Sequence, residues 1–72
     1  MLHYISIGQQ IKRLRKRIGM RQADLAKQIG TTKSDISDLE RGQKSCSIDR
    51  LAAIAEKLNA DLEIDLRPRN GS

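Results

Sequence analysis

The sequence predicts a small all-α domain of four short helices closed by one C-terminal β-strand, and three observations carry that expectation. First, Ala23, Leu25, Ala26 and Ile29 recur at helical spacing, Gly30 supplies a residue able to take φ > 0, and Ile36 and Leu39 restart the period. Second, apolar positions also repeat with helical period on either side, at Ile7, Ile11, Leu14 and Ile18 and again from Ile48 to Leu58. Third, Leu62, Glu63, Ile64, Asp65, Leu66 and Arg67 alternate with period two until Pro68, the pattern of a half-buried strand.

In chain order, Met1 to Ile5 carries no more than a short alternation, read as a short strand. Ser6 followed by Gln9 reads as a capping box, so the first helix should run from about Ile7 to Arg17. Gly19 ends it and Met20 should plug the core. The stretch from Gln22 to Arg41 is then a helix, a tight turn and a second helix, with Thr32 as its cap, Asp35 as the acidic half of a capping box and Gly42 as the stop. Small Ala26 lies where two steeply crossing helices must approach closely. A polar loop follows from Gly42 to Cys46, Ser47 caps the fourth helix with Asp49 in its first turn, and Ile48, Leu51, Ala52, Ile54, Ala55 and Leu58 should form its buried face. Asn59 is read as a left-handed stop.

Length and charge bound the function. The 72 residues make one domain, with a core over 6–59, a strand over 61–67 and a disordered tail over 69–72. A fold this small buries only roughly 60% of its unfolded surface, and with no Phe, no Trp and one Tyr the added burial of oligomerisation is attractive. No apolar run reaches membrane-spanning length and no signal-peptide pattern opens the chain, so it should be cytoplasmic and nucleoid-associated. The lone Cys46 excludes an intrachain disulfide and any multi-cysteine metal site, and reads as an inert loop residue. One His, one Cys and scattered carboxylates offer neither a nucleophile with its base nor a metal-ligand spacing, which argues against an enzyme and calls for no cofactor.

The positive charge is uneven. Residues 1–44 hold ten Lys/Arg against four acids, a net of +6, while 45–72 hold four against five, a net of −1, which together give +5. With a pI near 9.9 this favours a polyanionic partner for the first half, and by itself it fits RNA or an acidic membrane surface as well as DNA.

Gln22, Leu25, Ala26, Ile29, Gly30, Ile36, Leu39, Glu40 and Gly42 fall together with the gaps of the phage-repressor-like (Xre, Cro-like) helix-turn-helix family, which the chain resembles from about Ile7 to Leu58. That resemblance implies a four-helix, lambda-repressor-like domain whose third helix enters the DNA major groove. With Ile36 and Leu39 turned inward, Lys33, Ser34, Ser37 and Asp38 point outward, and they coincide with the family's base-contacting positions. Lys33 suits guanine O6/N7, the serines serve several bases, and Asp38 either accepts from a cytosine amino group or forms a local salt bridge.

Phosphate contacts are expected from Gln22, as in its family counterpart, and from Arg21, Thr32, Arg41 and Lys44 at the edges of the reading helix. Arg21 departs from the family, where many relatives cap the helix with Thr or Asn. The resemblance also implies an Arg15–Glu40 ion pair tying the first helix to the end of the third.

A lone strand leaves its backbone ladder unpaired. The simplest partner is the same strand of a second copy, Leu62, Ile64 and Leu66 covering the fourth helices of a homodimer, with pairing to residues 2–5 as the alternative. A helix-turn-helix followed by such a strand is similar to the HipB-type antitoxin branch. The resulting expectation is a homodimeric repressor reading a palindromic operator in double-stranded DNA, with a HipA-like kinase toxin as the further partner the resemblance implies. The alternatives are a phage repressor, a restriction-modification controller, or a module that mainly neutralises a toxin.

Overall fold

A computed structural model describes residues 4–63 of the chain, with side chains from Ile7 onward. It contains α1 (Tyr4–Arg17), α2 (Gln22–Ile29), α3 (Lys33–Glu40) and α4 (Ile48–Lys57). α2 packs on α3 and α4, and α1 packs on α3.

α1 begins earlier than its sequence suggests. Tyr4 and Ile5 are helical, which removes the short strand at those two positions, and Ser6 lies inside the helix and is not its cap. A Ser-x-x-Gln spacing is a local signal, and no Gly or Pro stands at positions 4–7 to stop the helix there.

The turn between α2 and α3 forms because Gly30 adopts φ +77°, while the N–H groups of Gly30 and Thr31 both donate to the carbonyl of Ala26, Thr31 at 2.8 Å. These bonds satisfy the end of α2 within one residue of its last turn. Thr32 then caps α3, its hydroxyl accepting from the Asp35 N–H at 3.1 Å. Ser47 caps α4 in the same way through the Arg50 N–H. At the far end of α4, Asn59 takes φ +57° and is the one non-glycine residue among those described with a positive φ.

The core consists of Ile11, Leu25, Ala26, Ile36, Leu39, Ile54 and Leu58, with Ile7, Leu14, Met20, Ile29, Cys46, Leu51 and Ala60 packed against it. Four residues of the apolar helical repeats stand outside the core. Ile18 is 45% exposed in the turn beyond α1, Ile48 is 63% exposed at the first position of α4, and Ala23 and Ala52 are exposed. Terminal turns diverge from the packed stripe, so periodicity overstates burial there.

Gly8 is what brings α1 down on α3. A Cβ at this position would stand 2.6 Å from the Glu40 carbonyl oxygen and closer still to that of Leu39. Only a residue without a side chain permits this approach.

No strand occurs among the described residues. Asp61, Leu62 and Glu63 carry no regular secondary structure and are exposed, while Ile64, Leu66 and the 69–72 tail lie outside the described residues. No helix among the described residues is long and apolar enough to cross a membrane.

Candidate nucleic-acid interface

α3 is polar on one side and buried on the other. Ile36 and Leu39 face the core, and two acids, Asp35 and Glu40, are buried beside them. Lys33 and Ser34 are exposed, and Ser37 and Asp38 are half-exposed. The two buried acids decide how the helix is held.

Glu40 closes the C-terminal end. Its Oε2 accepts from Arg15 Nε at 2.7 Å and its Oε1 from Arg15 Nη2 at 3.0 Å, with the two side chains only 8% and 2% exposed. The same Oε1 accepts from Gln22 Nε2 at 3.0 Å, and Arg15 Nη1 donates to the Met20 carbonyl at 2.8 Å. One carboxylate therefore joins α1, the start of α2 and the end of α3. A two-point guanidinium–carboxylate contact also fixes orientation, so the angle of α3 is tied to that of α1. Gln22 thereby has one amide N–H engaged within the protein, and its second amide N–H and the backbone N–H groups that open α2 remain to meet an anion.

Asp35 holds the N-terminal end and differs from its sequence reading. Its carboxylate does not turn back to the Thr32 N–H as the acid of a capping box. It accepts from Thr31 Oγ1 at 2.7 Å and from Arg50 Nη1 at 2.9 Å, and it pairs with Lys44. Hydrogen bonds from Lys44 and Thr31, with the charges of Lys44 and Arg50, hold it below the usual carboxylate range against the opposing effect of burial. Arg50, absent from the sequence-level site, links α4 to α3. Its only signal was a cation in the first turn of α4, where the helix dipole makes an acid the usual choice.

The remaining phosphate candidates are also engaged. Arg21 donates from Nε to Asp24 Oδ2 at 3.0 Å, and its backbone N–H donates to the same oxygen at 3.1 Å. Asp24 thus supplies the acidic half of a capping box for α2, whereas a guanidinium has no acceptor with which to supply the other half. These bonds hold the Asp24 carboxyl below its usual range. Arg41 Nη2 donates to Asp38 Oδ1 at 2.6 Å. Asp38 therefore stands in a local salt bridge at the exposed edge of α3, with its second oxygen still available.

Two open clefts border α3. One, of about 400 Å³, is lined by Arg15, Arg21, Gln22, Ala23 and Lys33. The other, of about 520 Å³, runs past Ser34, Asp38, Lys44, Ser45 and Ser47. Lys33 lines the first and Ser34 and Asp38 the second, so the polar side of α3 opens into both. Cys46, half-buried below the second cleft, has its thiol pushed up by burial and is a packing residue. No three His, Cys, Asp or Glu side chains converge as a metal site among the described residues.

Comparison with known proteins agrees with this geometry. The helix-turn-helix family matches residues 11–64. The ImmF control region 10 kDa protein of Bacillus phage phi105 is 34% identical over 64 residues, spanning 89% of this chain and 71% of that protein. The crystal structure of the restriction-modification controller protein C.AhdI from Aeromonas hydrophila superposes with a TM-score of 0.76 at 29% identity, covering 81% of this chain and 84% of that one. In sequence and in fold, the chain belongs to the helix-turn-helix family.

Proposed function

We propose that this protein is a sequence-specific DNA-binding transcriptional repressor of the phage-control or restriction-modification-controller kind. One observation carries the reading: the core side of α3 is clamped at both ends by buried acids, while Lys33, Ser34 and Ser37 lie on its outer side, Lys33 lining one open cleft and Ser34 the other. A helix held in this way matches the width of the major groove, and its short polar side chains reach base edges that distinguish all four base pairs. Lys33 donates to guanine, the serines serve either donors or acceptors, and Asp38 accepts from a cytosine amino group through the oxygen that Arg41 leaves unused. Backbone N–H groups at the start of α2, with Arg21, Arg41, Lys44 and Thr32, meet phosphates and set the register.

The functional unit is a homodimer in the cytoplasm, presenting two copies of α3 about one DNA turn, roughly 34 Å, apart to a palindromic operator. Exposed Ile48, Ala52 and Leu62 are apolar surface for a second copy to cover. The phage control-region and restriction-modification controller proteins that the chain resembles favour this role over that of an antitoxin. The antitoxin role, with a HipA-like kinase as partner, has the alternation of residues 62–66 as its support.

Binding to an operator recovered by selection, compared with a scrambled duplex, tests the reading. Replacing Lys33 and Ser37 with Ala should abolish the preference for the operator and leave the helical circular dichroism unchanged. An undiminished preference removes α3 from the role of reader.

A further inference from the structure

The ten cations of residues 1–44 divide into two sets. Arg15, Arg21, Arg41 and Lys44 are ion-paired with Glu40, Asp24, Asp38 and Asp35, and those four are all the acids of that half. Lys12, Arg13, Lys16, Arg17, Lys27 and Lys33 hold no ion pair among the described residues, so they account for the net +6. Four of these six lie on α1, and Lys33 is the one on the reading helix. The positive field is therefore displaced from α3 onto the first helix.

We propose that Lys12 and Lys16 form a phosphate-binding track on α1 that extends the interface along the backbone of the operator duplex being read. The helical screw places them. At about 100° per residue, Lys12 lies about 60° and Lys16 about 100° around the helix from Arg15, both on the side away from core residues Ile11 and Leu14. Arg15 itself lines the cleft that also holds Gln22 and Lys33, at the starts of α2 and α3. Lys12 and Lys16 thus continue the rim of that cleft, one turn apart and both exposed. Arg13 and Arg17 point about 160° from Arg15, to the far side, and Arg17 borders Leu58 and Asn59 at the end of α4. Arg21 and Arg41 already share their charge with Asp24 and Asp38, whereas the two lysines have no such partner among the described residues. The first backbone contacts, and a large part of the salt dependence, belong to α1.

This track rests on the DNA-binding reading above, and the experiment separates the two. Lys12→Gln/Lys16→Gln is compared with Arg13→Gln/Arg17→Gln, an equal charge change on the same helix, by operator binding from about 50 to about 200 mM salt. The first pair should flatten the slope of log K against log salt by about 1.8 per protomer, at about 0.9 for each lost contact, and the second should leave it near wild type. Lys12→Arg/Lys16→Arg should restore the slope, which guards against a loss caused by misfolding. Equal flattening by both Gln pairs, or none by either, overturns the track and leaves α1 a solvated surface. A wild-type protein that binds no duplex at all at low salt refutes the function itself.

Discussion

Replacing Gly8 with Ala sets two effects against each other, and the structure fixes the sign. Position 8 lies inside α1, where Ala is favoured over Gly by about 0.8–1.0 kcal/mol on helix propensity alone. On an open helix face the substitution would stabilise. Here the added Cβ falls 2.6 Å from the Glu40 carbonyl oxygen, whereas ordinary contact begins near 3.4 Å, and Leu39 O is closer still. The obstacle is backbone, so no side chain can rotate away, and α1 must retreat from α3 by about an ångström. Overpacking of this kind costs about 1–3 kcal/mol, and the retreat also stretches the Arg15–Glu40 contact, now 2.7 Å. We expect a net loss of about 1–3 kcal/mol, which at this size lowers Tm by about 4–8 °C for each kcal/mol. Thermal melts followed by circular dichroism measure it, with Gln9→Ala on the exposed side of the same helix as a control that should be neutral or slightly stabilising. A Gly8→Ala protein that melts at or above the wild-type temperature would refute the close approach of α1 to α3.

Glu40→Ala should cost about 3–5 kcal/mol in urea unfolding, because it strands a buried guanidinium, whereas Arg15→Met/Glu40→Leu should cost much less; similar losses in the two would deny that the pair is buried. The lowered Asp35 carboxyl gives stability that is fully present above its unfolded value of about 3.9 and is lost as pH falls through the still lower folded value. Acid titration of Asp35→Asn should accordingly show a shallower fall below about pH 4 than wild type, and parallel curves would place the acid transition elsewhere. For the dimer, Leu62→Lys/Ile64→Lys should halve the mass measured by light scattering, and an unchanged dimer would dismiss the strand-pairing arrangement.

Much of the helix-turn-helix was legible because its signals are local and mutually consistent. Leu25, Ala26, Ile36 and Leu39 repeat with the helical period, Gly30 permits the turn and Thr32 suits a cap, and all of these take those places in the fold. The reading failed where an outcome depended on which element lies opposite. Gly8 looks like a helix-weakening residue until the end of α3 is seen against it. Asp35 fits a capping box by spacing, yet Lys44 and Arg50 approach from a distant loop and helix and draw its carboxylate away. Ile48 and Ala52 share the apolar stripe of α4 with Ile54, but the stripe is wider than the surface the other three helices cover. Among the candidate contact residues, sequence gave the outward direction of Lys33 and Ser34. It did not give the pairing of Arg21, Arg41 and Lys44 with acids, because each requires a rotamer set by its surroundings.

The central claim is that α3 is carried as a groove-reading helix, and selection of bound sites from a pool of random duplexes at modest ionic strength tests it most directly. The expected result is one enriched palindromic motif with half-site centres about one turn, or roughly 10 base pairs, apart, lost together with Lys33 and Ser37. Recovery of no motif, or of the same motif by the Lys33→Ala/Ser37→Ala protein, would contradict it.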